Sequence, residues 1–266
     1  MVIYNGKNIN TIYQGNRLVD SVLINNNRVV TGSIPIDVLR ISPLNGNKNT
    51  FVYFYSITEN QSIEVSYDGK KWNTVNVNDS VYLRRTITIP AHGNAPAHGI
   101  TVAASIYIRG TGIGDYDSNT NIRIGGGEAK ISGRLTSLIG DGDLTPYCFQ
   151  YLFALSSTLA DASELILPFY VTEGCYYRMF RGCTSLTSAP ALPATTLAAS
   201  CYKNMFEGCT SLNYIKCLAT NISANDCTKD WTYEVADYGT FVKASNMNNW
   251  ERGNNGIPYA WTVENT

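Results

Sequence analysis

The chain has 266 residues, of which 44% are hydrophobic and only 15% charged, with a formal net charge of -1. That is enough apolar material for one large domain or two or three small ones, and no basic field exists to hold nucleic acid or an anionic membrane. No run approaches the roughly 18 apolar residues of a membrane-spanning helix, so membrane insertion is not expected.

The first residues, MVIYNGKNINTIYQGN, lack the basic start, apolar stretch and small-residue cleavage site of a signal peptide. The expectation is a protein made and assembled in the cytoplasm. Within residues 1–35, Tyr4-Asn5-Gly6-Lys7-Asn8-Ile9 is echoed by Tyr13-Gln14-Gly15-Asn16-Arg17-Leu18 and by Ile24-Asn25-Asn26-Asn27-Arg28-Val29. Each echo predicts a small β-hairpin. So short a segment cannot bury a core of its own. It therefore docks on a partner or on its own copies in an oligomer; a meander packed on the next domain is the alternative.

Residues 36–133 read as all-β. VLRIS, FVYFYSI, SIEVSY, VYLRRTITI, ITVAASIYIRG and EAKISGRL are strand-like runs divided by Asn, Gly and Asp clusters, which predicts a sandwich or small barrel. Ser66 to Trp72 is a hairpin with Asp68-Gly69 at its turn. It faintly resembles the Asp-box of sialidases, whose turns are structural. His92 and His98 stand in PAHGNAPAHG, a loop between strands; a metal shared by several chains is the alternative. Asp115, Asp117, Asn119 and Asn121 alternate like the start of a calcium loop, but Thr120 replaces its glycine and Gly126 its last acid. An ordinary polar loop fits better, and no metal or cofactor is expected.

From about residue 134 a long repeat begins. Cys148, Cys175, Cys201 and Cys227 recur at intervals of 27, 26 and 26. The clearest units are CYYRMFRGCTSLTSAPALPATTLAAS and CYKNMFEGCTSLNYIKCLATNISAND; a fourth breaks down after Cys227 into TKDWTYEV. At 100° per residue, Cys175, Tyr176, Met179, Phe180 and Cys183 share one helix face, and Tyr177, Arg178 and Arg181 lie opposite. The next unit puts Cys201, Tyr202, Met205, Phe206 and Cys209 inward and Lys203, Asn204 and Glu207 outward. The first puts Cys148, Phe149, Leu152 and Phe153 inward. Each unit thus predicts a helix ended near Gly182 or Gly208, a short strand from Leu186 or Leu212, and an extended return held by Pro190 and Pro193. Residues 228–266 would cap the stack.

These units resemble the BspA-like leucine-rich repeats of Bacteroidales surface proteins and of phages that infect them, over roughly residues 135–266. The hairpin segment is similar in style to the virion-attachment ends of phage fibre proteins. The resemblance implies a leucine-rich-repeat solenoid, and with the readings above the expectation is a β-rich multidomain chain: hairpins at 1–35, a β-sandwich spacer at 36–133, an α/β repeat solenoid at 134–227 and a cap at 228–266. It also implies interaction without catalysis.

No catalytic or metal-binding pattern stands out among these residues. A bridge from Cys175 to Cys183 would span about 12 Å of helix, beyond disulfide reach. Zinc spacing is absent, and the two histidines lie far from the cysteines in sequence. Buried apolar cysteines are the favoured reading. Asp141, Asp143, Asp161 and Glu164 do not pair as glycosidase carboxylates. The expected function is a phage head or tail fibre or decoration protein. Residues 1–35 bind other virion proteins or form a homo-oligomer, a trimer being favoured, and the repeats face a host glycan or protein. Tyr151, Tyr177, Arg178, Arg181 and Lys203 are the expected contacts. A bacterial cell-surface adhesin of the same repeat family is the alternative.

Overall fold

Short strands joined by two-residue connections dominate residues 1–37, a unit separate from residues 38–266. The computed structural model describes residues 38–55, 61–76, 79–89, 98–111, 120–140 and 143–266, together with the strand segments of residues 1–37. Three antiparallel hairpins run in series: β1 (Val2–Tyr4) with β2 (Lys7–Ile9), β3 (Tyr13–Gln14) with β4 (Arg17–Leu18), and β5 (Ser21–Ile24) with β6 (Asn27–Val30). The pairs Tyr4↔Lys7, Gln14↔Arg17 and Ile24↔Asn27 flank the connections at intervals of ten residues. Each hairpin is a two-stranded sheet of its own.

The second unit starts with β7 (Leu39–Pro43), β8 (Phe51–Tyr55), β9 (Ser62–Ser66), β10 (Asn73–Val75), β11 (Ser80–Tyr82), β12 (Arg84–Ile89), β13 (His98–Ala103), β14 (Ile106–Thr111), β15 (Asn121–Gly125) and β16 (Ala129–Arg134). With β17 (Leu159–Ile166) they make a six-stranded sheet in the order β10-β9-β14-β7-β16-β17, a three-stranded sheet β11-β8-β15, and the ribbon β12-β13. Alternate residues are buried, as period two requires of strands with one covered face: Leu39 and Ile41, Val52 and Phe54, Ile106 and Ile108, Ile122 and Ile124. Two expected strands divide. VYLRRTITI breaks at the fully buried Leu83, and ITVAASIYIRG breaks before Ser105, so that each half joins a different sheet. At the Asp-Gly turn the Asp68 carboxylate accepts the backbone N–H of Lys70 and Lys71 at 2.8 and 2.9 Å. Those bonds hold its pKa down at about 2.

β16 and β17 pair in parallel, and from there the six-stranded sheet continues as a parallel ladder. Bridges at Asp161↔Ser188 and Ser188↔Tyr214 lead to β18 (Tyr214–Cys217), β19 (Thr240–Lys243) and β20 (Thr262–Asn265), all parallel. The boundary expected at residue 133/134 therefore falls inside β16, and the buried residues form one cluster from Leu39 to Trp261.

The expected repeat helices are absent. Among the described residues the only helix is one 3-10 turn, Leu135–Leu138. Residues 172–183 are instead a ribbon of turns. The N–H groups of Cys175, Tyr177, Met179, Arg181 and Cys183 each donate three residues back, to Thr172, Gly174, Tyr176, Arg178 and Phe180. The N–H groups between them, on Gly174, Tyr176, Arg178, Phe180 and Gly182, donate to Ala199, Cys201, Lys203, Met205 and Glu207 of the next unit. Half the donors close turns and half stitch neighbouring units, so the backbone account is complete without a helix. Every fourth residue has positive φ: Tyr147, Tyr151 and Leu155, then Gly174, Arg178 and Gly182, then Ser200, Asn204 and Gly208, then Asp226, Asp230 and Glu234.

The burial forecast nevertheless holds at all five inward positions of the second and third units, which are fully buried. A four-residue step turns 90° per residue, and over nine residues it departs from a helix by only about 80°. Asn204 is the exception: expected outward, it is buried at φ 54°. A sign test separates the two backbones. In a helix, Leu155→Gly costs about 1 kcal/mol. Leu155 has φ 62° and is half exposed, and left-handed strain costs a non-glycine residue roughly 1–2 kcal/mol. Leu155→Gly is expected to leave stability unchanged or raise it by up to about 1 kcal/mol in urea titration.

Candidate functional site

The ribbons put two columns inside and a mixed face outside. Rings stack from unit to unit at centroid distances of 5.5–6.0 Å: Phe149, Tyr176, Tyr202, Trp231 and Trp250 in one column, Phe153, Phe180 and Phe206 in the other. All seven cysteines are free and buried. The thiols of Cys183 and Cys209 donate to the carbonyls of Phe153 and Phe180 in the preceding unit, at 3.2 and 3.0 Å. One unit earlier, Ser156 holds the same place, and its hydroxyl accepts the N–H of Ile124 at 3.0 Å. The position needs a small side chain with a polar tip, and serine and cysteine both supply one. Burial pushes the Cys148, Cys183, Cys201 and Cys217 thiols up to about 12 and raises Cys175 and Cys209 as well. These groups stay protonated at neutral pH and are poor nucleophiles and metal ligands.

On the outer face, three of the five expected contacts come together. Arg178 Nη1 donates to the Tyr151 hydroxyl at 2.8 Å. Its guanidinium carbon lies 4.8 Å from the Tyr177 ring centre and 5.7 Å from that of Tyr151. The rings of Tyr151 and Tyr177 meet edge to face at 5.5 Å. Burial, then Tyr151, raises the Tyr177 phenol, which therefore remains a neutral hydrogen-bond donor. Tyr147 belongs to the cluster and was missed from sequence. Its ring meets Tyr177 at 6.4 Å, its hydroxyl lies 3.3 Å from a Glu173 oxygen, and it rests where a Cβ at Gly174 would be. Its signal is its place four residues before Tyr151, at the same corner of the turn.

The other two expected contacts are neutralised. Arg181 pairs with Glu207 at 3.1 Å and Lys203 with Asp226 at 2.8 Å. That bond from Lys203 holds the Asp226 carboxyl below its usual value. Arg181 and Glu207 are one repeat apart, so the partner was visible in the spacing. The pairs are partly exposed, and solvent screens much of their attraction.

Open grooves also mark the described surface. One of about 880 Å³ runs past Val65, Tyr67, Val75, Val81, Tyr82 and Arg84, and one of about 520 Å³ past Asp226, Lys229, Glu251 and Asn255. Among the described residues no group of His, Cys, Asp and Glu could hold a metal, and no helix is long and apolar enough to cross a membrane. His92, Asp115 and Asp117 lie outside the described residues, as does the side chain of His98 on β13. Asn121, read from sequence as part of a polar loop, instead starts β15, and its Nδ2 donates to the carbonyls of Tyr151 and Ala154 at 2.6 and 3.1 Å. No family model, no curated protein and no solved structure matches the chain.

Proposed function

We propose that this chain is a non-enzymatic structural protein of a bacteriophage particle, a head or tail fibre or decoration protein. Residues 1–35 attach it to other virion proteins or assemble it with its own copies, most simply as a trimer. Residues from about 134 form a short BspA-like leucine-rich-repeat solenoid turned toward a host-surface glycan or protein. The observation that carries this reading is the contrast between the two faces of the ribbons. The inner face is a uniform packed column with protonated thiols, and the outer face holds aromatic and guanidinium groups that are only partly covered. Solenoids offer a wide, shallow surface of this kind to large partners. The hairpins support the attachment role, since two-stranded sheets of two to four residues per strand gain little stability alone.

The test is mass spectrometry of purified virions from cells producing either the full chain or residues 38–266. The full chain is expected in the particles and the shortened one only in the lysate. Incorporation of residues 38–266 would remove the attachment role, and absence of the full chain from particles would remove the virion reading.

A further inference from the structure

We infer that Tyr147, Tyr151, Tyr177 and Arg178 form a binding site for a saccharide bearing a carboxylate, such as a uronic or nonulosonic acid. This rests on the reading of the outer ribbon face as a contact surface and specifies what it contacts. The other cations of that face already have acids: Arg181 has Glu207, and Lys203 and Lys229 share Asp226. Arg178 has no carboxylate within ion-pair distance among the described residues; Glu207, already paired with Arg181, acts on it only from farther off. It is nevertheless held in place, by the Tyr151 hydroxyl on one side and the Tyr177 ring beneath. A guanidinium fixed this way has lost its side-chain freedom before any ligand arrives; its Nε is buried, and the N–H groups left on its two terminal nitrogens are the ones a planar carboxylate would meet.

The surroundings define the rest of the ligand. The backbone N–H groups of Tyr177 and Arg178 are already bonded to Gly174 and Lys203, so no cradle of free amides exists for a phosphate or sulfate. Three tyrosines within edge-to-face contact give apolar walls with phenol tips, which suits the faces and hydroxyls of a pyranose ring. Glu173 lies at the Tyr147 end. That places the neutral part of the sugar against Tyr147 and its acid at Arg178.

The experiment presents the full chain to immobilised oligouronides and sialylated oligosaccharides, each beside its carboxyl-reduced counterpart. At least one acidic member should bind, and carboxyl reduction should weaken it about tenfold or more, the worth of one charge-assisted pair. Because that comparison uses the unaltered protein, it does not depend on a variant's folding. Arg178→Gln should give the same loss and Arg178→Lys a partial one, whereas Lys203→Gln and Arg181→Gln should stay within about twofold. Binding to no acidic member, equal binding after reduction, or indifference to Arg178→Gln would overturn the inference. A chain found in virions that binds only neutral sugars would leave the proposed function standing and sink this site alone.

Discussion

Trp231→Ala is expected to destabilise the protein by about 3–5 kcal/mol, the cost of emptying a large buried aromatic site. Trp231 is fully buried. It stacks on Tyr202 at 6.0 Å on one side and on Trp250 at 5.5 Å on the other, and it touches Phe206 at 6.3 Å. One indole thus closes the Phe206 column and carries the other on to Trp250. Its unit has Thr228 and Thr232 where the unit before has Tyr202 and Phe206, one repeat earlier. Its Nε1 donates to the Gly256 carbonyl at 2.9 Å, and Thr232 N–H donates to Asn254 at 3.2 Å. The loop at 253–257 thereby meets the last ribbon's donors. Alanine leaves a cavity, a Gly256 carbonyl with only the longer Thr232 hydroxyl contact at 3.3 Å, and a loosened Trp250. Urea titration followed by tryptophan fluorescence should show a lower midpoint. Trp231→Phe, which keeps one ring but loses the hydrogen bond, should fall between. A shift below about 1 kcal/mol for the alanine variant would mean the cap is held some other way.

The same residue shows why the sequence was only partly legible. TKDWTYEV looks like a repeat breaking down because the period is sought in matching letters. The fourth ribbon is nonetheless intact, with Lys229, Trp231 and Tyr233 donating back to Asp226, Thr228 and Asp230. Which side chains are buried was readable, since Cys, Tyr, Met and Phe recur at fixed places. Which backbone buries them was not, because turns of four and a helix of 3.6 produce nearly the same stripe. The distinguishing marks were Gly174, Gly182, Asn204, Gly208 and Asp226, residue types that accept positive φ, set four or eight apart within each unit. At the outer face, letters alone supplied candidates such as Arg181 and Lys203. Only the stacking of one unit on the next brings Glu207 and Asp226 onto them. β15 went unread because its five residues lie between a polar loop and a run of glycines.

A chain of residues 134–266 is expected not to fold, and residues 38–266 to unfold in a single transition. The first ribbon has no unit before it. What covers its carbonyl side is β15: Ile122 N–H donates to Leu152 at 2.6 Å, Asn121 reaches Tyr151 and Ala154, and Ile124 N–H meets Ser156. The ladder side is covered by β16, which pairs with β17. The three-stranded and six-stranded sheets therefore each offer a strand to the repeat segment, β15 and β16, and the two regions are not beads on a string. Removing residues before 134 would uncover Phe149, Leu152, Phe153 and Leu159, all fully buried. At about 1.5–3 kcal/mol for each large apolar side chain, that exposure amounts to roughly 6–12 kcal/mol. A domain's entire stability is about 5–15 kcal/mol. Scanning calorimetry of residues 38–266 should give equal calorimetric and van't Hoff enthalpies. Residues 134–266 should show no cooperative melt and should bind a hydrophobic dye, as expanded states with exposed apolar surface do. Two separate transitions in the longer chain, or a sharp melt in the shorter one, would establish residues 38–133 as an independent unit instead of a support for the first ribbon.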